Sequence, residues 1–262
     1  MVEASAERQL HGPLADMRAF GFGEDEAVVV TGAGSGIGRA TALTAARAGL
    51  RVAVWDMIAD KAAETARMAG ELGATAISVT VDVADPAQVA RAWEESLPLG
   101  QCRYLVNCAG PPSNDAGPFR DNLAIALGSV EDVTSQWLAR CGDIAASVVS
   151  MASVSGNFQG GGLATAPFYA AAKSGIVGFT RHLATRCGGR PRANAVAPGF
   201  TLTPRTIPFL ENPLVAESVA RVPMGRAGYP EEVASAVLFL LSPAASYING
   251  VLLPVDGGMA IA

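Results

Sequence analysis

The chain has 262 residues, half of them hydrophobic and 16% charged, with a formal net charge of -5. That length suits one α/β domain with a sizeable core, and so apolar a composition excludes a disordered or coiled-coil chain. The acidic balance gives no electrostatic reason to expect nucleic acid or an anionic membrane as a partner.

Met1 to Glu26 carries charges early and has no apolar stretch of signal-peptide type, so it reads as an N-terminal extension: an extra helix, a leader or a tether to a neighbouring subunit. Residues 27–262 read as a single domain. Short β-branched runs alternate there with Ala-rich helical stretches, the pattern of βαβ units whose strands are buried on both faces. Strands are predicted over 27–30, 51–55, 74–81 and 104–106, with helices over 37–48, 58–72 and 86–96 between them. Asp85 and Pro86 suit the cap and first turn of the third helix. Further on come a helix over 123–140, a strand over 146–150 and a Gly-rich loop over 156–166. The helix over 168–184 carries Tyr169 and Lys173 and is followed by a strand over 193–197. An irregular segment over 199–223, a helix over 230–241 and a strand over 251–255 complete the chain. The expected fold is a Rossmann-type, doubly wound α/β domain: a seven-stranded parallel sheet between two helix layers. Val237 to Leu241 stops at Ser242-Pro243, too short for a membrane span.

The first strand runs into Thr31-Gly-Ala-Gly-Ser-Gly-Ile-Gly38. Gly32 allows a sharp turn, Gly36 a close backbone approach to phosphate and Gly38 tight packing of helix on sheet. The N–H groups of Ser35, Gly36, Ile37 and Gly38 then open a helix whose N-terminus suits a pyrophosphate. Asp56 ends the next strand, where a carboxylate accepts from both adenosine ribose hydroxyls and repels a 2′-phosphate. NAD is therefore expected rather than NADP. Tyr169 and Lys173 stand four residues apart, which puts phenol and ammonium on one helix face. Oxidising a secondary alcohol needs a base beside the leaving hydroxyl proton. Bringing a phenol from about 10 toward 7 requires roughly 4 kcal/mol of phenolate stabilisation, which a nearby cation can supply.

With these motifs the chain resembles the short-chain dehydrogenase/reductase family over about Ala27 to Gly258. The spacing of Thr31, Gly32, Gly36 and Gly38 matches, as do Asp82-Val83, Asn107-Cys-Ala-Gly110, Ser153, Tyr169 to Lys173, Asn194 to Gly199 and Asp256-Gly-Gly258. The resemblance implies that Asp82 and Val83 line an adenine pocket and that Asn107, Ala109 and Gly110 support the central strand and ribose. It also implies that Pro198, Gly199, Thr201 and Thr203 hold the nicotinamide amide. Ser153 would steady the substrate oxygen, with Ser150 and Ser155 as neighbouring alternatives. Asn122 resembles the family's asparagine whose helix opens around a water linked to Lys173; a helix-start cap is the other reading. The stretch from Asn107 to Asn122 is shorter than in the family and the gap from Ser153 to Tyr169 longer, with Gly160 to Gly162 as the extra residues.

The reading is an NAD-dependent alcohol dehydrogenase or ketone reductase. It would interconvert a secondary alcohol and a ketone on a small, largely apolar molecule under a lid containing Phe200, Leu202, Ile207, Phe209 and Leu214. The likeness to bacterial enzymes of hydroxysteroids and of alicyclic or aryl alcohols is in the C-terminal third. A catalytically inactive NAD-binding regulator or scaffold of the same fold is the alternative, and a methyltransferase leaves the Tyr and Lys pair unexplained. His11 and His182 have no ligand spacing, so no metal is expected. Cys102, Cys108, Cys141 and Cys187 lack redox or zinc spacing, which suits free thiols and a cytoplasmic protein. Small and apolar residues on the helices over 123–140 and 168–184 suggest a homo-oligomer, a tetramer or a dimer.

Overall fold

A computed structural model describes residues 12–141, 146–159 and 165–261. Residues 1–11 of the extension, with His11, and the Gly160 to Gly162 stretch lie outside the described residues. Seven strands form one sheet in the order β3-β2-β1-β4-β5-β6-β7. They are β1 (Ala27–Thr31), β2 (Arg51–Asp56), β3 (Ala76–Thr80), β4 (Tyr104–Asn107), β5 (Ser147–Met151), β6 (Arg192–Pro198) and β7 (Leu252–Val255). Every pairing is parallel, Val28 standing beside Val52 of β2 on one side and Tyr104 of β4 on the other. The expected fold class is the observed one. The strand order reverses between β1 and β4, so a crevice opens beyond their carboxyl ends, the usual ligand position in such sheets.

Helices α1 (Gly36–Arg47), α2 (Ala59–Glu71), α3 (Pro86–Ser96) and α4 (Phe119–Leu123) are followed by a π-helical turn, Ala124–Gly128. Then come α5 (Ser129–Cys141), α6 (Pro167–Arg186), α7 (Pro213–Ala220) and α8 (Pro230–Leu241). Alternation along β1 explains the two layers: Val28 and Val30 face α1, α2 and α8, while Ala27 and Val29 face α3, α5 and α6. The five β1 residues are all buried, as a strand covered on both faces must be. Asp85 caps α3 as expected, its Oδ1 accepting from Ala87 N at 2.9 Å and Gln88 N at 3.3 Å.

Three sequence expectations change. The helix predicted over 123–140 is two α segments joined by the π turn. The irregular segment over 199–223 contains α7, capped by Asn212, whose Oδ1 accepts from Leu214 N at 3.0 Å. Within the described part of the extension, Met17 is buried in the core, Phe20 packs edge-on against Phe239 of α8, and Gly12 N donates to Glu231. Among the described residues no helix is long and apolar enough to cross a membrane.

Candidate active site

The glycine turn between β1 and α1 is held by contacts that tolerate no side chain. Gly32 has φ +64°, and a Cβ there would lie 2.8 Å from the Ala109 Cα. At Gly38 a Cβ would meet the Gly32 carbonyl oxygen at 2.1 Å, so the helix closes on the turn only because that atom is missing. Gly36, at φ +55°, faces the Thr203 side chain across the crevice, with only 3.2 Å for an added Cβ. Ser35 sits at the helix N-cap without a side-chain cap bond, and the first intrahelical donor is Arg39 N. The N–H groups of Gly36, Ile37 and Gly38 precede that donor and need an outside acceptor. Thr31 locks the neighbouring strand end to this turn: its Oγ1 accepts from Cys108 N at 3.0 Å and Ala109 N at 3.1 Å. Asp56 is oriented by Gly34 N at 2.8 Å and Ile58 N at 3.0 Å. Each carboxylate oxygen thereby keeps a lone pair for a further donor. Bare first-turn donors, a glycine-lined floor and an oriented carboxylate one strand away fit an adenine dinucleotide.

Opposite this cradle, α6 brings Tyr169 and Lys173 to the end of β5. The Lys173 ammonium donates to the Met151 carbonyl at 2.6 Å and lies 5.4 Å from the Tyr169 ring centroid. Burial lowers the Lys173 pKa to about 8. Tyr169 is raised by burial, while a hydrogen bond with the Ser153 side chain and the charge of Arg205 oppose the rise. Ser153 is buried, and its Oγ also accepts from Ser155 N at 3.1 Å. Asn157 ties the two segments, its Nδ2 donating to the Ser153 carbonyl at 2.9 Å and the Lys173 carbonyl at 3.2 Å. Phenol, hydroxyl and ammonium thus meet in one place, and no carboxylate is among the groups that shift Tyr169 or Lys173.

Three comparisons with known proteins bear on this arrangement. A family model described as Enoyl-(Acyl carrier protein) reductase matches residues 32–260, from the glycine turn to the last short helix. The chain belongs to the short-chain dehydrogenase/reductase family. It is 37% identical over 242 residues to a cis-4-hydroxycyclohexanecarboxylate dehydrogenase of Sinomonas cyclohexanicum, covering 89% of this chain and 96% of that one. It is 36% identical to an L-tagatose-forming galactitol 2-dehydrogenase of Cereibacter sphaeroides, covering 88% and 94%. A solved structure from Beutenbergia cavernae, assigned provisionally as an NAD(P) dependent gluconate 5-dehydrogenase with NADP bound at low occupancy, aligns with a TM-score of 0.83 at 36% identity. That alignment covers 93% of this chain and 99% of the other. Membership places the chain in a family of oxidoreductases that use nicotinamide cofactors.

Among the short-chain dehydrogenase/reductase positions, the structure separates residues that the sequence left together. The Ser150 hydroxyl is engaged elsewhere: its Oγ accepts from Asn107 Nδ2 at 3.3 Å, and the same amide donates to Thr134 at 2.9 Å. Asn107 is therefore a buried brace between β4, β5 and α5. The buried Ser155 Oγ has no hydrogen-bond partner among the described residues, whereas Ser153 bonds the phenol. Asp82 Oδ1 accepts from Ala84 N at 2.9 Å, turning the chain after β3, with Val83 packed against the α3 and α5 layer. Gly199 lies against Asp256, where a Cβ would come within 2.9 Å, while Pro198 and Thr201 are buried at the end of β6.

Asn122 is not a helix cap, since Pro118 holds the N-cap position of α4 and Asn122 is the fourth helical residue. Its amide donates to Asp115 Oδ1 at 2.9 Å. The helix does open, in the π turn that begins two residues later, and there Ala126 packs against Phe168 and Ala172 of α6. So the opened turn faces the Tyr169 helix with a methyl group, while the Asn122 amide holds the loop before α4. Sequence reading missed Asn157, whose role has no local signature. It also missed Arg205, the cation in an otherwise uncharged run, 200–210.

Proposed function

We propose that the chain is an NAD-dependent oxidoreductase that interconverts a secondary alcohol and a ketone on a small, largely apolar molecule. One observation carries this reading: Tyr169, Ser153 and Lys173 converge, without a carboxylate, across the crevice from a glycine cradle. Gly32, Gly36, Gly38, Asp56 and Thr203 would hold the cofactor, with Ala109, Gly110 and Thr201 beside it. The chemistry supplied by a nicotinamide held there would be hydride transfer, to the cofactor in alcohol oxidation and from it in ketone reduction.

The remaining chemistry belongs to this chain. In oxidation the Tyr169 oxygen takes the hydroxyl proton as the carbonyl forms; in reduction it gives the proton back. The Ser153 hydroxyl donates to the substrate oxygen and stabilises charge developing on it. The Lys173 ammonium, anchored by the Met151 carbonyl, lowers the energy of phenolate through its charge. Phe200, Leu202, Ile207 and Phe209, all half-buried, and the exposed Leu214 offer a covering for an apolar substrate. The name of the Sinomonas relative, which describes a ring alcohol, supports substrates of that shape.

NAD is favoured over NADP because a 2′-phosphate would meet the Asp56 carboxylate, with exposed Met57 rather than a base beside it. We also propose a cytoplasmic protein, because its four cysteines are free thiols, and a homo-oligomer, because Phe119 and Ile125 expose apolar surface on the helical stretch before α5.

The test is reduced-cofactor absorbance with NAD or NADP and a panel of ring alcohols. NAD is expected to give the higher kcat/KM, and Asp56→Ser should cut that preference by about tenfold or more, the effect of one charged hydrogen-bonding group. Tight NAD binding without turnover of any alcohol or ketone would instead favour the non-catalytic alternative.

A further inference from the structure

The mechanism above leaves one cation unused at the mouth of the crevice. Arg205 follows Thr203-Pro204 in a segment whose large side chains, Phe200, Leu202, Ile207 and Phe209, are otherwise apolar. Thr203 and Thr206 fold that stretch into a tight turn. Thr203 N donates to Thr206 Oγ1 at 2.9 Å, and Thr206 N to Thr203 Oγ1 at 3.2 Å. From this turn the Arg205 guanidinium reaches toward the end of β4, with Nη1 3.3 Å from the Gly110 carbonyl oxygen and 3.4 Å from that of Pro111. These are long bonds from a single nitrogen to neutral acceptors, and they are its hydrogen-bond partners among the described residues. Arg226, just beyond that segment, shows what a satisfied guanidinium looks like here: both its terminal nitrogens meet Glu232 carboxylate oxygens, at 2.8 and 2.6 Å.

An arginine that merely decorates the surface has its charge screened by water. Arg205 is exposed as well, yet its charge reaches Tyr169, Lys173 and Cys108: it works against the rise that burial imposes on the tyrosine and the cysteine, and adds to the lowering of the lysine. It adds a second positive charge to a centre that already holds Lys173, and among the described residues no carboxylate shifts Tyr169 or Lys173. A planar guanidinium with most of its donors free, beside apolar walls, is suited to a carboxylate on a hydrocarbon body.

We propose that Arg205 binds a carboxylate at the end of the substrate remote from the reacting carbon, so that the preferred substrates are compact apolar hydroxy acids and their keto counterparts. This rests on the alcohol oxidoreductase reading given above. The walls fit the hydrocarbon, Tyr169 and Ser153 meet the hydroxyl, and Arg205 fixes which end enters first.

The experiment uses a panel of ring and open-chain secondary alcohols, each as a carboxylate and as its uncharged amide. Steady-state kinetics with NAD are compared for the unaltered chain, Arg205→Gln and Arg205→Lys, with circular dichroism to check folding and calorimetry for NAD affinity. The carboxylate-to-amide ratio of kcat/KM should fall by about tenfold or more in Arg205→Gln, mainly through KM, with Arg205→Lys between. NAD affinity should stay near that of the unaltered chain. An equal loss on both members of each pair together with weakened NAD binding would assign Arg205 to the cofactor phosphates and overturn the proposal. An unchanged ratio would make it a solvated surface side chain and overturn it equally. If the unaltered chain turns over none of the alcohols or their ketones, the oxidoreductase reading itself fails; turnover without charge preference overturns only the role of Arg205.

Discussion

Two phenols stand at opposite ends of the sheet in different electrostatic company. Tyr104, at the start of β4, donates to Glu26 Oε2 at 2.7 Å, and Glu26 also accepts from Gly23 N at 2.9 Å and pairs with Arg103. Burial and then the Glu26 carboxylate push Tyr104 well above the usual phenol range. Glu26 resists its own burial through the donors of Tyr104, Gly23 and Arg103 and ends below the usual carboxylate range. That cluster is charge-balanced and its protons are locked in place. Tyr169 is raised by burial too, yet its neighbours, Ser153 and Arg205, pull the other way. A buried phenol with a carboxylate is a structural tie, whereas one that faces a hydroxyl, a guanidinium and the Cys108 thiol but no carboxylate can give up and regain a proton.

The largest test removes the difference at its source. Tyr169→Phe is expected to reduce kcat by about 10²–10⁴-fold, the usual contribution of a general acid or base, while NAD affinity and the melting temperature stay close to those of the unaltered chain. Turnover within a few-fold of the original would dissolve the contrast between the phenols. Lys173→Met should also abolish most turnover, yet it should not lower the melting temperature at pH 7. The reason is that the folded chain holds Lys173 at about 8 against the 10.5 of an unperturbed lysine, so burying its charge opposes folding at neutral pH. In the unaltered chain that opposition lifts as pH rises through about 8 toward 10.5, because the unfolded state then binds more protons. Thermal melts across this range should show the rise in the unaltered chain and its loss in Lys173→Met.

The smaller test addresses the other phenol. Tyr104→Phe leaves the half-buried Glu26 short of a donor and should cost about 1 kcal/mol of stability or somewhat more. In a chain of this size that is about 2–4 °C in melting temperature for each kcal/mol, and kcat/KM should hold. Because Glu26 is depressed when folded, its contribution is present above its unfolded pKa and lost as pH falls through the folded one. Without the Tyr104 donor the folded value rises, so the acid-side loss of stability in the variant should begin at higher pH. Acid melts of the two proteins would check this, and coincident curves would show that Tyr104 does not hold Glu26.

How legible each part was follows from the range of the interactions involved. The β1 turn could be read because its requirements are local: positive φ at Gly32 and Gly36, and a missing Cβ at Gly38 against the carbonyl of Gly32 in the same short turn. The Tyr169 and Lys173 pair could be read because four residues on a helix are neighbours whatever the helix packs against. The choice between Ser150 and Ser153 could not, since it turns on Asn107, 43 residues from Ser150, claiming one of the hydroxyls. Nor could the use of Asn122, whose amide is taken by Asp115 across the loop before α4.

By itself, then, the order of residues determined a seven-stranded, doubly wound sheet, its glycine turn, the carboxylate at the end of β2 and a phenol beside an ammonium. All of these depend on backbone geometry repeated over a few residues. Only the tertiary structure decided that Ser153 meets the phenol, that Ala126 lines the opened turn and that Arg205 overlooks the crevice with no carboxylate paired to it among the described residues. Those outcomes depend on which distant side chains compete for the same partner, and that competition exists only once the strands lie side by side.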